Sequence, residues 1–291
     1  MQPDWFQQAL KQDPDHHYVD IEGARIHYQR WSCPDPNAKG LLLVHGHAAH
    51  AHWWDFIAPA FTRQFNVVAP DLSGSGDSDH RDAYSATGFA REIIGVSDDA
   101  GFNTPVVIGH SFGGAMTRVA AWQHRQAFSG LILVDSAVPG QRGSRQAPPM
   151  PKLRERFYPS EREGMRRFRL RPPQPCENRY ILDHIAATSL RATDRGYHFK
   201  YDSAVFAKMR HAEDFPAATD MIRSLSIPVG MIYGENSRFF PTEVVRELEK
   251  VIPPVRIRSV PDAHHHVFLD QPLAFIDKLK ELLDDFEPPA Q

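Results

Sequence analysis

The segment Gly109-His110-Ser111-Phe112-Gly113 holds the residue types of a nucleophile on a tight turn. It follows the apolar, β-branched run Val106-Val107-Ile108 and precedes Ala115 to Arg125, which has helical character. A buried strand that breaks into a sharp turn and then a helix would present the Ser111 hydroxyl on a strained bend. Glycine at 109 and 113 removes side chains that would strike the neighbouring strand and helix. The helix start behind Ser111 would aim unpaired backbone N–H groups at an oxyanion forming on an attacked carbonyl. Taken alone, the five-residue pattern is equally that of a glycine-rich turn; the strand before it and the helix after it favour the nucleophile.

A serine hydroxyl attacks only when a base removes its proton, and the chain offers 16 histidines. Three of them, His264, His265 and His266, stand together shortly before Pro272. Candidate carboxylates end two apolar strands: Asp135 after Leu131 to Val134, and Glu235 after Val229 to Tyr233. Another run, His45-Gly46-His47-Ala48-Ala49-His50-Ala51-His52, resembles the way some zinc hydrolases present ligands. It lacks the aspartate that usually precedes the third histidine, since Ala49 stands there, so no metal and no cofactor are expected.

The elements that must position these groups alternate along the chain. A short amphipathic helix over 4–12 is followed by a hairpin, Tyr18 to Ile21 and Arg25 to Trp31, turning at Glu22-Gly23. Buried strands are expected at 40–44, 66–70, 106–110 and 131–135, with helices over 52–63, 85–100 and after Ser111. That rhythm implies right-handed crossovers and a mostly parallel sheet flanked by helices. It stops between Pro139 and Ser226, a stretch broken by Pro148-Pro149, Pro151 and Pro172-Pro173 with helical character near 160–170, 177–192 and 202–211. Strands at 229–233 and 255–260 and helices at 242–251 and 272–286 then resume the pattern. The fold class is therefore α/β, with a core of residues 1–138 and 227–291 and an inserted helical lid over 139–226.

Composition limits the functional classes. With 291 residues, 42% hydrophobic and 24% charged, the chain can bury a sizeable core. A net charge of −3 gives no general attraction to nucleic acid or anionic membrane. Cys33 and Cys176 lie far apart, as reduced thiols of a cytoplasmic protein would. The start of the chain reads as neither leader nor anchor, and no apolar run approaches the ~20 residues of a membrane span. A small-molecule substrate and a monomer or homodimer are expected.

The motifs His45-Gly46, Asp71-Leu72-x-Gly74-x-Gly76-x-Ser78, Gly109 to Gly113 and His265 to Pro272 occur in the order seen in the α/β-hydrolase fold family, which the chain resembles over nearly all its length apart from the lid. The resemblance implies a serine hydrolase of carboxylic esters, lactones or related acyl compounds. A carbon–carbon bond hydrolase of diketones with the same triad is the enzymatic alternative, and a ligand-binding protein that lost turnover is the alternative of another class. Counting back from Pro272 as in relatives makes His265 the base, with His264 the competitor. The family's commonest acid position holds Ser237, so the acid falls to Asp135, as in some branches, or to Glu235. Backbone N–H groups of His47 and Phe112 would form the oxyanion hole. Trp53, Trp54 and His110 are assigned to the substrate pocket, and the arginine-rich stretch from Arg142 to Arg171 reads as a solvated face or an anion-binding wall.

Overall fold

The computed structural model describes residues 2–136, 138, 155–210 and 214–286. Helix α1 (Asp4–Leu10) buries Phe6 and leads into the antiparallel hairpin β1 (Asp15–Ile21) and β2 (Ala24–Trp31). The core continues through β3 (Lys39–Val44), β4 (Phe65–Pro70), α2 (Ala86–Asp99), β5 (Val106–His110), α3 (Phe112–Gln123) and β6 (Gly130–Val134). Outside the main sheet follow α4 (Glu161–Arg167), α5 (Arg179–Thr188), the hairpin β7 (Leu190–Thr193) and β8 (Gly196–Phe199), α6 (Val205–Lys208) and α7 (Ala218–Arg223). Strand β9 (Val229–Gly234), α8 (Thr242–Leu248), β10 (Ile257–Val260), α9 (Val267–Asp270) and α10 (Pro272–Phe286) complete it.

Eight strands form one sheet in the order β1-β2-β4-β3-β5-β6-β9-β10, parallel from β4 onward. The central strands are apolar along their whole length because both faces are covered. In β3, Leu41 and Leu43 join one core with Phe275, Leu279 and Leu282 of α10. Leu42 and Val44 enter the opposite core with Ile93 of α2 and Val119 of α3. Each such leucine, fully buried, contributes roughly 2 kcal/mol. The carboxyl ends of β3, β5, β6, β9 and β10 meet along one edge, where an open α/β sheet leaves its crevice.

Two expectations need correction. The helix expected over 52–63 is a pair of 3-10 turns, Ala51–Trp54 and Ala58–Phe61, because Pro59 has no N–H to continue an α-helix. The stretch from 177 to 192 is helical only over Arg179–Thr188, and it passes into the β7–β8 hairpin, closed by Gly196 at φ 109°. Tyr197 and Phe199, aromatic and half-buried, suit a strand better than a helix. The part of the lid expectation over 139–154 lies outside the described residues.

Residues 172–202 are tied to the core on two sides. On one, Gln174 accepts from the His266 amide at 2.9 Å and donates to Asp270 at 2.9 Å, and Asn178 donates to the Leu269 and Asp270 carbonyls. On the other, the Gly76 amide donates to the Lys200 carbonyl at 2.8 Å, Lys200 Nζ reaches Asp77 at 2.8 Å, and the Asp202 amide donates to Gly74 at 2.7 Å. The glycine-rich turn from Asp71 to Ser78 is thus a docking edge for this segment.

Candidate active site

Ser111 sits between β5 and α3 with φ 52° and ψ −117°, a backbone conformation that side chains rarely occupy. Its amide donates to the Val134 carbonyl at 2.9 Å, and its own carbonyl accepts from the Ser136 hydroxyl at 2.8 Å. The bend fits only with glycine on both sides. A Cβ on Gly109 would lie 2.7 Å from the Gly114 nitrogen, and one on Gly113 would run into the His45 carbonyl.

The end of β6 places Asp135, and the loop after β10 places His265, beside this serine. His265 Nδ1 lies 2.6 Å from Asp135 Oδ1, and Nε2 lies 2.8 Å from Ser111 Oγ. With Nδ1–H donating to the carboxylate, Nε2 is left to accept the serine proton. Asp135 also accepts from the Gly234 amide at 3.0 Å and the Ser237 hydroxyl at 2.8 Å. Burial pushes its carboxyl up to about 7, only partly opposed by these two donors. Burial lowers His265 to about 4, and the Arg238 charge adds to the effect. The imidazole is therefore neutral and ready as a base over a wide pH range.

Neither competitor reaches this chain. Glu235 is exposed and accepts from the Ser259 hydroxyl at 2.8 Å. His264 turns to Asp270, which takes both its amide at 2.8 Å and its ring nitrogen at 3.2 Å.

Among the described residues, nothing accepts from the backbone N–H of His47 or Phe112. These amides lie in the turn after β3 and at the first residue of α3. The His47 ring packs on Phe206 at 4.3 Å and lines a cavity with Trp53. Trp54 is fully buried and stacks on Phe268 at 4.6 Å instead of lining that cavity. His110 is also buried: its Nε2–H donates to the His265 carbonyl at 3.1 Å, supporting the base's loop from below. Sequence reasoning passed over the hydroxyls of Ser237 and Ser136. Their one signal was a polar residue at a strand end.

The other histidines of the run after β3 are committed separately. His45 Nδ1–H donates to the Gly46 carbonyl at 2.7 Å, and its Nε2 accepts from the Leu72 amide at 3.0 Å. His50 meets the Ser189 hydroxyl at 2.7 Å, and His52 meets Asp55 at 2.9 Å. None of the four belongs to a described group of three ligand atoms within 4.8 Å of one another.

Comparison with known proteins identifies the fold. A model described as the alpha/beta hydrolase family matches residues 41–278, and the chain belongs to that family. A pimeloyl-[acyl-carrier protein] methyl ester esterase from Edwardsiella ictaluri (strain 93-146) is 26% identical over 272 residues, covering 87% of this chain and 96% of that one. The soluble epoxide hydrolase of Corynebacterium sp. (strain C12) is 33% identical over 130 residues, 43% of this chain and 42% of that one. A novel esterase from Mycobacterium tuberculosis, solved as a crystal structure, has the same fold with a TM-score of 0.71 at 23% identity, over 98% of this chain and 99% of that one. The protein is thus an alpha/beta hydrolase. No helix among the described residues is long and apolar enough to cross a membrane.

Proposed function

We propose that this hydrolase cleaves a carboxylic ester, a lactone or a related acyl compound through Ser111, His265 and Asp135. The supporting observation is the unbroken chain of contacts from Asp135 Oδ1 to His265 at 2.6 Å and from His265 to Ser111 Oγ at 2.8 Å. Ser111 Oγ attacks the acyl carbon as its proton passes to His265 Nε2. The N–H groups of His47 and Phe112 take the charge that develops on the carbonyl oxygen. His265 then protonates the leaving oxygen, which departs and leaves an acyl group on Ser111. Water, deprotonated by His265, cleaves that ester and restores the serine. Asp135 holds the tautomer and stabilises the imidazolium throughout.

Epoxide opening on this fold resembles the local match to the Corynebacterium enzyme, but it calls for an aspartate where Ser111 stands. In this reading the described residues 155–210 and 214–226 of the inserted stretch form the cap. The sheet supplies the chemistry, and the cap supplies the walls that set acyl preference. A fluorophosphonate probe tests the proposal: wild-type protein is labelled at Ser111, and Ser111→Ala is not. Absence of wild-type labelling overturns the serine mechanism in favour of a binding protein. Rates on matched esters, lactones and diketones then separate acyl transfer from carbon–carbon cleavage.

A further inference from the structure

We propose that the acyl portion of the substrate carries its own carboxylate, seated by Arg171 together with Arg167 and Arg169. The inference rests on the Ser111 mechanism above and names the substrate class within it: monoesters of short dicarboxylic acids.

The cavity that contains His47 is lined by Arg167, Arg169, Arg171 and Lys200 and, among the described residues, by no carboxylate. Lys200 is paired with Asp77 at 2.8 Å. The three arginines have no acidic partner within ion-pair distance among the described residues, although they also line an adjoining cavity that Glu155 enters. Arg171 is half-buried, whereas Arg167 and Arg169 are exposed like Arg162 and Arg166, so of the three it is Arg171 that a solvated face does not describe. Its charge bears on the His47 ring, which burial first and then Arg171 lower to about 4.

The remaining walls are Trp53, Phe168, Phe199 and Tyr201, with Ala48, His50 and Ser189. An unbalanced planar cation at one side of an apolar cavity matches a methylene chain that ends in a carboxylate, which guanidinium binds with two parallel hydrogen bonds. The other side is the His47 turn, whose amide would hold the reacting carbonyl. The Arg171 segment is tied to the base's loop, because Pro172, next to Arg171, accepts from the His266 ring at 3.3 Å, and Gln174 accepts from the His266 amide at 2.9 Å.

The test compares kcat/KM for monomethyl glutarate and methyl butyrate, followed by proton release, with fluorophosphonate labelling of Ser111 on the same preparation. We expect glutarate to be favoured about tenfold or more at low salt, and the ratio to fall towards one in 0.5 M salt as screening rises. Arg171→Gln lowers the ratio about tenfold, mainly through KM, and Arg171→Lys retains part of it. The salt series on wild-type protein keeps the test valid if a variant misfolds. A ratio near one with Ser111 labelled overturns this inference alone, and no labelling overturns it together with the serine mechanism. A second arm compares butyryl-CoA with butyryl-pantetheine. A preference for the phosphorylated thioester without one for glutarate assigns the arginines to phosphate and overturns the carboxylate.

Discussion

The Ser237 hydroxyl donates to Asp135 Oδ1 at 2.8 Å, onto the oxygen that His265 Nδ1 approaches at 2.6 Å. Two strand ends, those of β6 and β9, converge on one carboxylate oxygen. The position where related chains commonly carry the acid thus supplies a hydrogen-bond donor to an acid on the neighbouring strand. Three donors, counting the Gly234 amide, converge on a carboxyl that is only 1% exposed and that burial, against their pull, pushes up to about 7.

Ser237→Ala removes one of those donors. A hydrogen bond to a charged group is worth about 1.5–3 kcal/mol, so kcat should fall roughly tenfold or more while Ser111 remains reactive to the probe. Steady-state kinetics on the variant check this. Unchanged kcat would mean that Gly234 and His265 suffice.

Asp135→Asn should lower kcat by about 10^4-fold, because the amide favours the wrong imidazole tautomer. Glu235→Gln should change kcat little, since that carboxylate contacts Ser259 on the exposed edge. Adding Ser237→Asp to Asp135→Asn should restore at least tenfold by returning a charge beside the same imidazole. A crippled Glu235→Gln would move the acid to β9. Thermal melts on all three establish that they fold.

With His265 lowered from 6.5 to about 4, the free base persists well into acid. The base alone is lost only as pH falls through that lowered value, but its partner Asp135, pushed up to about 7 by burial, takes a proton first. The acid limb of kcat/KM should therefore begin near 7 with loss of the carboxylate and continue towards 4 with loss of the free base. A single sharp step at 6.5 would show that the imidazole titrates as a solvated ring.

Acid should also weaken the fold. Burial lowers His45, His110 and His266, and it brings His47 to about 4 and His50 to about 3. Below 6.5 the unfolded chain binds protons that the folded chain refuses. Each group then removes about 1.4 kcal/mol per pH unit until its folded pKa is reached. His52, raised by Asp55 against its own burial, and the carboxyls of Asp135, Glu92 and Asp270, raised by burial, work in the opposite sense and offset part of this. We expect Tm to be level above about pH 7 and to drop steeply between 6.5 and 5; a flat profile would place these rings in contact with water.

Exhaustive chelation should leave ester turnover unchanged, because His45, His50 and His52 already hold partners of their own. A loss that zinc restores would return the chemistry to that run.

The parts legible in the sequence are those written locally. Strand, glycine-flanked serine and helix are contiguous, and the buried strands announce themselves as apolar runs. The choice between Asp135 and Glu235 is not local: both end parallel strands on one edge, and the deciding contact joins residues 130 apart in the chain. The β7–β8 hairpin was hidden because its residues are half-buried or exposed apart from Leu190, which blurs the alternation that marks a strand. Aromatic identity did not reveal which side each ring serves, so Trp53 faces the cavity while its neighbour Trp54 faces the core. The arginine-rich stretch reads alike along its length in sequence, which does not reveal that Arg171 is half-buried in the cavity with His47.

The ties at Gln174 and Asn178 on one side and at Lys200 and Asp202 on the other make this segment a bridge rather than a flap. A flap swings without disturbing what lies beneath it, whereas a bridge passes load to its supports. On the proposed seating, a substrate too long for the cavity would push on Arg171, and the push would travel through Pro172 and Gln174 to His266, the residue next to the base. A poor fit is then registered as a misplaced imidazole, so chain length should be discriminated in turnover as well as in affinity.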